Sequence, residues 1–335
     1  MTEPVRVALI GTGRWGVRLA MAAGRSDRLH IVSCFSRDKT RRGAFAAEFG
    51  CAGSGSFEEA IEHPGVEAVV LATPNEVHAQ QTEACAAVGL HVFVEKPIAY
   101  SLEDAGRMDA ACRAAGVNLM VGHAFRRLGA ARRVKQLLDD GALGRVVLAE
   151  ANFSLPGTLT PDQWRYYRAS CPGGPLMQLG IHHVDTLGYW LGPIERVQGS
   201  FGRLATSAEI DDVGCALLDF HGGTRAAVTG SYVSPRTFFL RLYGSEANLE
   251  YRVDMSVWPN AELLDLHTSL RLIGPDKTEE IQVEPCDMVL EELEEFAACV
   301  RGGPVPETGA AEGTAALAAI LGALESHESG TAVRL

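Results

Sequence analysis

Val5-Arg6-Val7-Ala8-Leu9-Ile10-Gly11-Thr12-Gly13-Arg14-Trp15-Gly16 decides the fold of the first part of the chain. Residues 5–10 form a nearly unbroken apolar run, the pattern of a strand buried on both faces of a parallel sheet. The glycines that follow fit G-x-G-x-x-G between that strand and a helix predicted over 14–24. Gly11 permits the tight turn, Gly13 lets the backbone approach a pyrophosphate, and Gly16 lets the helix pack close to the strand. The start of the helix then offers free N–H groups to phosphates. A glycine-rich turn with no ligand is the alternative, and the strand–loop–helix context favours dinucleotide binding over it.

Working outward, strand and helix alternate. Strands are predicted over 30–35, 68–72, 91–94 and 117–121, and helices over 39–49, 76–88 and 102–115. Strict alternation implies a Rossmann-type, doubly wound parallel sheet. The pattern changes near residue 123. A helix over 131–139 precedes strand-like runs at 146–153, 194–203, 212–220, 224–233 and 238–244, with a further pair at 263–272 and 281–284. His221-Gly222-Gly223-Thr224 is a hairpin signal, and helices over 288–301 and 310–327 close the chain. The expectation is therefore an α/β chain with a dinucleotide-binding domain over 1–122. An α+β domain for substrate binding and oligomerisation follows over 123–335, with a large open, mainly antiparallel sheet. The cleft between two such domains is the expected ligand site.

Composition agrees. The 335 residues are 47% apolar and 21% charged, ordinary for a globular chain and enough for about two domains of roughly 150 residues each. Thirty basic against 42 acidic residues give a net charge of −12, which argues against nucleic acid or an anionic membrane as partner. The N-terminus lacks the apolar stretch of a signal peptide, and the longest apolar helical run, 315–324, is too short to span a bilayer. Eight cysteines form no C-x-x-C pair, so a reducing, cytoplasmic setting and no metal site are expected.

Three further stretches carry chemistry. The second strand ends at Ser36-Arg37, where an NAD enzyme usually places a carboxylate for the ribose hydroxyls. A hydroxyl and a guanidinium there, with Lys39, Arg41 and Arg42 behind, predict a 2′-phosphate site and hence NADP(H) over NAD(H), against the alternative of a solvated basic turn. Glu95-Lys96-Pro97 follows an apolar strand, at the sheet edge where ligands bind. Lys96 there can donate to a reacting oxygen, and Pro97 is a candidate for a cis bond. In the helix predicted from Pro175 to about Leu191, Gln178 and His182 are four apart and share a face, Asp185 lies one turn on, and His183 points about 100° away. His182 is thus a candidate general base, or else a satisfied structural histidine.

With these residues in place, the sequence resembles the Gfo/Idh/MocA oxidoreductase family, the group of inositol and glucose–fructose type sugar dehydrogenases. The resemblance spans essentially the whole chain. It rests on the glycine loop, Ala72-Thr73-Pro74-Asn75-Glu76-Val77-His78, Val94-Glu95-Lys96-Pro97, Val121 to Arg126, Gly141 to Gly144, Trp164-Arg165, and Gly180-Ile181-His182-His183-Val184-Asp185. It implies that Gly11, Thr12, Gly13, Arg14, Trp15 and Gly16 hold the pyrophosphate side of the coenzyme. Thr73, Pro74, Asn75 and His78 would line its nicotinamide and ribose, joined by Glu95, Lys96 and Pro97. Lys96 and His182 would be catalytic, while Arg126, Trp164, Arg165 and Gln178 would shape the substrate pocket with His182. Gln178 departs from the family, in which many dehydrogenases carry Asp at that position, and a carboxamide cannot carry a proton.

The expectation is a NAD(P)-dependent dehydrogenase acting on a secondary hydroxyl of a sugar, polyol or related cyclic compound, working as a homodimer or homotetramer. Two rivals stand beside it: redox-assisted elimination or glycoside cleavage with tightly bound NAD, and a non-catalytic cofactor-sensing protein.

Overall fold

The computed structural model describes residues 3–157, 159–258 and 260–335, which fall into two compact units. The first comprises Met1–Ala124 and Met288–Thr314. Its strands β1 (Val5–Ile10), β2 (Leu29–Phe35), β3 (Ala52–Gly53), β4 (Ala68–Leu71), β5 (His91–Glu95) and β6 (Leu119–Gly122) form one parallel sheet in the order β3-β2-β1-β4-β5-β6. Helices α1 (Arg14–Ala23), α2 (Lys39–Phe49), α3 (Phe57–Ile61), α4 (His78–Ala87) and α5 (Leu102–Ala115) connect them. β1, β2, β4, β5 and β6 are largely apolar and buried because helices cover both faces, while the short edge strand β3 is exposed. Helix ends are fixed locally. Asp38 caps α2 by accepting from the Thr40 and Arg41 amides, Ser101 caps α5 through the Asp104 amide, and both helices stop at a left-handed glycine, Gly50 and Gly116. Strand order reverses between β1 and β4, the place where doubly wound sheets bind ligands outside their C-terminal ends.

The second unit comprises Phe125–Asp287 and Ala315–Leu335. After α6 (Gly129–Asp139), β7 (Val146–Ser154) and α7 (Ile181–Leu191) come β8 (Ile194–Gly202), β9 (Val213–Phe220), β10 (Arg225–Ser231), β11 (Thr237–Gly244), β12 (Asn248–Val253), β13 (Thr268–Ile273) and β14 (Thr278–Glu280). Helices α8 (Met288–Val300) and α9 (Ala310–Ser329) and the short β15 (Val333–Arg334) end the chain. The sheet has nine strands, β14-β13-β12-β11-β7-β10-β9-β8-β15, antiparallel except where β7 runs parallel to β10. Burial alternates along β9 and β10, so one face lines the core and the other is open. Phe153, Phe238 and Tyr251 pack in that core, and α9 lies so close to β8 that a Cβ on Gly199 would meet the Ala323 carbonyl oxygen at 2.0 Å.

Three sequence expectations shift. The last strand lies at 278–280, not 281–284, and its partner starts at Thr268 because residues 261–267 are taken up by 3₁₀ turns. The helix expected from Pro175 is not uniform: Leu176–Gly180 is a π-helical turn that passes into α7. Among the described residues, no helix is long and apolar enough to cross a membrane.

Candidate functional site

At the end of β1, the three loop glycines have different surroundings. Gly11 has φ +99°, and a Cβ on it would lie 2.3 Å from the Ala72 carbonyl oxygen. A Cβ on Gly16 would lie 1.9 Å from the Gly11 carbonyl oxygen. Gly13, which caps α1, faces nothing within 4 Å. Two glycines are thus demanded by the protein's own backbone, and the third leaves room outside it. Thr12 in this loop and Asn75 in the loop after β4 are buried, and among the described residues Thr12 Oγ1 and Asn75 Nδ2 meet no partner. Buried polar atoms are almost always satisfied, so two such atoms in loops at the C-terminal edge of the sheet fit a polar ligand of the dinucleotide kind.

The tip of β2 places Ser36 half-buried and Arg37 exposed. Arg42 lies over the Phe35 ring and donates from Nη1 to the Ser36 carbonyl at 2.6 Å. The carboxylate that follows, Asp38, is engaged by the start of α2 at 2.9 and 3.0 Å.

Past β4, Thr73 Oγ1 donates to Gln81 at 2.7 Å. The buried His78 ring sits between the Thr73 and Pro97 carbonyls, 3.1 Å from each. Burial holds its pKa below the ordinary imidazole value despite those two carbonyls. His78 therefore joins the A-T-P-N loop to the E-K-P loop. The Lys96–Pro97 bond is cis. Before it, Glu95 is buried and accepts from the Trp15 indole N–H, and burial pushes its pKa up to about 7 against the opposing pull of the Lys96 charge.

In the second unit, the π turn presents Gln178, 4% exposed, and α7 opens with His182 and His183. Such turns cluster at functional positions because they re-aim side chains within a helix. The His182 ring lies 4.4 Å from that of Phe125, which stacks on Phe238. His183 is wholly buried against Phe153 and Phe238, and burial pushes its pKa down to about 4. Arg126 makes a side-on pair with Asp185, 2.9 and 2.5 Å, with both side chains at most 6% exposed. Arg126 also lies over the Tyr189 ring. Arg165 stacks on Trp164, its guanidinium 4.4 Å from the ring centre.

Comparison with known proteins agrees with this geometry. Residues 5–123 match a family described as an oxidoreductase family with an NAD-binding Rossmann fold, and residues 131–250 match the GFO/IDH/MocA C-terminal domain. A D-xylose 1-dehydrogenase (NADP(+)) of Haloferax volcanii is 30% identical across 98% of both chains. The chain belongs to the Gfo/Idh/MocA oxidoreductase family. A 1,5-anhydro-D-fructose reductase of Ensifer adhaerens is 28% identical, again over 98% of both chains. A crystal structure from Desulfitobacterium hafniense, named provisionally as an NADPH-dependent oxidoreductase, is 36% identical and superposes with a TM-score of 0.96, covering 100% of this chain and 98% of that one.

As a Gfo/Idh/MocA protein, the chain has its glycine loop, Thr73 to His78 and Glu95 to Pro97 all at the C-terminal edge of one sheet, as the sequence motifs require. Sequence reading missed the Arg126–Asp185 pair and the bond from Trp15 to Glu95. No signal in the sequence could have found either, since each joins residues 59 or 80 positions apart.

Proposed function

We propose that this protein is a dehydrogenase or reductase that interconverts a secondary hydroxyl and a ketone on a sugar, polyol or related cyclic compound, with NADP(H) preferred over NAD(H). The observation that carries the reading is the division among the loop glycines, two closed on backbone and one open, in a chain of this family. The loop 11–16, Thr73, Asn75 and the E-K-P stretch would hold the coenzyme, which when bound supplies the hydride acceptor or donor. Pro74 and Pro97 fix the loops around it, and His78 ties those loops together. The preference for NADP(H) is supported by Ser36 and Arg37 at the β2 tip and by the diversion of Asp38 into capping α2. Some relatives are themselves named as NADP(+) enzymes.

Lys96 donates to the reacting oxygen and stabilises the negative charge it develops. His182 takes the hydroxyl proton in oxidation and returns it in reduction, imidazole being the side chain suited to both near neutrality. Gln178 orients a substrate hydroxyl by hydrogen bonding and carries no proton. Trp164 and Arg165 shape the pocket, and Arg126 acts behind it by fixing Asp185 on the helix that carries His182. We assign coenzyme binding to the N-terminal domain and substrate binding to the C-terminal one. The open sheet face would support a homodimer or homotetramer, and eight free thiols suit the reducing cytoplasm.

Gln178 favours one second reading, in which a substrate is oxidised and re-reduced within a turnover so that a neighbouring group is eliminated. A screen of aldoses, ketoses, polyols and their acids with both coenzymes, followed by nicotinamide absorbance, separates the two. Net coenzyme turnover supports the first, and product without net turnover the second. Lys96→Met is expected to bind coenzyme and lose turnover, and His182→Ala to lose roughly 10²- to 10⁴-fold in rate. Near-normal rates in both variants would refute the assignment.

A further inference from the structure

Glu95 ends β5 with its carboxyl enclosed, and three neighbours fix it. The Trp15 indole N–H donates to Oε1. The Lys96 amide donates to Oε2 at 3.2 Å. Gly122, its partner in register on β6, provides the space: a Cβ there would lie 2.9 Å from Oε1 and 3.1 Å from the Phe93 ring. Trp15 lies in the first turn of α1, between Gly13 and Gly16 of the glycine motif, with the Arg18 guanidinium 5.3 Å from its ring. Among the described residues, the charged and titratable neighbours include Lys96 at the strand end, Arg18 behind the indole and the buried His78 of α4, which feels the Lys96 charge, while β6 contributes an uncharged glycine at the paired position.

Resting on the reading that Lys96 meets the reacting oxygen, we propose that Trp15 is a positioning residue acting through Glu95. Its indole holds the Glu95 carboxylate beside Lys96, so the loop that receives the dinucleotide is linked to the group that handles the substrate oxygen. The link depends on a fine balance. Burial drives the carboxyl toward its neutral form, up to about 7, while the Lys96 charge, the indole N–H and the Lys96 amide oppose it. Removing the indole donor frees the carboxylate to swing away from Lys96. Lys96 then loses part of a close negative charge and releases its proton at lower pH.

The chain's four lysines, Lys39, Lys96, Lys135 and Lys277, make this directly measurable. Competitive labelling of the full chain with acetic anhydride across pH, read by peptide mass spectrometry, gives a titration midpoint for each lysine without coenzyme or substrate. In Glu95→Gln the Lys96 midpoint is expected to fall by about one unit or more, the size of a lost opposite charge at close range. In Trp15→Phe it should fall in the same direction by a smaller amount, since the carboxylate is displaced and not deleted. The double variant should match Glu95→Gln alone, because the indole acts through the carboxylate. The other three lysines should not move. A Lys96 midpoint unchanged in Trp15→Phe, or a further fall in the double variant, overturns the proposal. If Trp15→Phe does not fold, Gly122→Ala displaces the same carboxylate from the opposite side, and an unmoved midpoint there overturns it equally. The readout is independent of turnover, so a failure of the catalytic assignment appears in Lys96→Met and leaves this test standing.

Discussion

Gly13→Ala and Gly16→Ala should have opposite consequences, although both alter one glycine of one loop. At Gly16 the new methyl would lie 1.9 Å from the Gly11 carbonyl oxygen and 3.3 Å from a Leu9 methyl, so α1 must withdraw from β1. Overpacking of this kind costs about 1–3 kcal/mol or more, which in a unit of 150 or so residues lowers Tm by roughly 2–12 °C. At Gly13 the methyl meets nothing within 4 Å, and the backbone angles, φ −75° and ψ −174°, are ones alanine adopts freely. Restricting the unfolded chain contributes about 0.4–1 kcal/mol, and losing glycine at the helix cap costs a similar amount. Stability should therefore change by less than about 1 kcal/mol. Ligand binding should reverse the ranking, since the Gly13 methyl fills the space a pyrophosphate would use. Thermal unfolding of the apoprotein by circular dichroism gives the first comparison, and calorimetric titration with NADP+ the second. A Gly13→Ala protein that is destabilised as much as Gly16→Ala, yet binds NADP+ normally, would refute the division of roles.

Other outcomes follow from the same geometry. Arg37→Ala should weaken NADP(H) by about ten- to a hundred-fold, the loss of one charge-assisted contact, while changing NAD(H) little. Ser36→Asp should move preference toward NAD(H), and equal effects on both coenzymes would reduce the cluster to a solvated turn. His183 is held neutral, with its pKa pushed down to about 4 from 6.5. Its contribution is complete above about pH 6.5 and lost as pH falls through about 4, on the order of 3 kcal/mol. Acid unfolding of His183→Leu should accordingly begin at lower pH than in the wild type, and an unchanged acid limb would count against this histidine. Asp185→Asn breaks a buried pair around Arg126 and should cost about 3–5 kcal/mol, seen as a lower urea midpoint.

The doubly wound sheet was legible because its strands are continuous apolar runs and its helices end at capping residues and glycines. β3 and α3 escaped notice, since two- and five-residue elements carry no period. The π turn was also invisible: Leu176 to Gly180 has no composition that distinguishes i→i+5 from i→i+4 bonding, and the packing around it decides. The motif residues of the coenzyme loops were found one by one, but the connections among them were not. Trp15 and Glu95 lie 80 residues apart, on α1 and β5, and only the packing of helix on sheet brings them together. Arg126 illustrates the same limit, because a sequence shows an arginine near a motif and cannot show that a carboxylate 59 residues on holds it.

The return of Met288–Thr314 to the first unit has a consequence for biosynthesis. Leu293 of α8 closes an apolar hollow lined by Val7, Leu9, Leu19, Leu29, Ile31 and Val70. The Thr308 hydroxyl and carbonyl bind the backbone of Val121 along β6, 2.7 Å in each case. A ribosome that has finished residue 124 has made every strand of the parallel sheet but neither of these covers. At about 5–20 residues per second, the wait for α8 lasts on the order of 10–30 s. Throughout that interval the nascent sheet carries an open oily seam and a bare strand edge, the two features that holdase chaperones recognise and that pair wrongly with neighbouring chains.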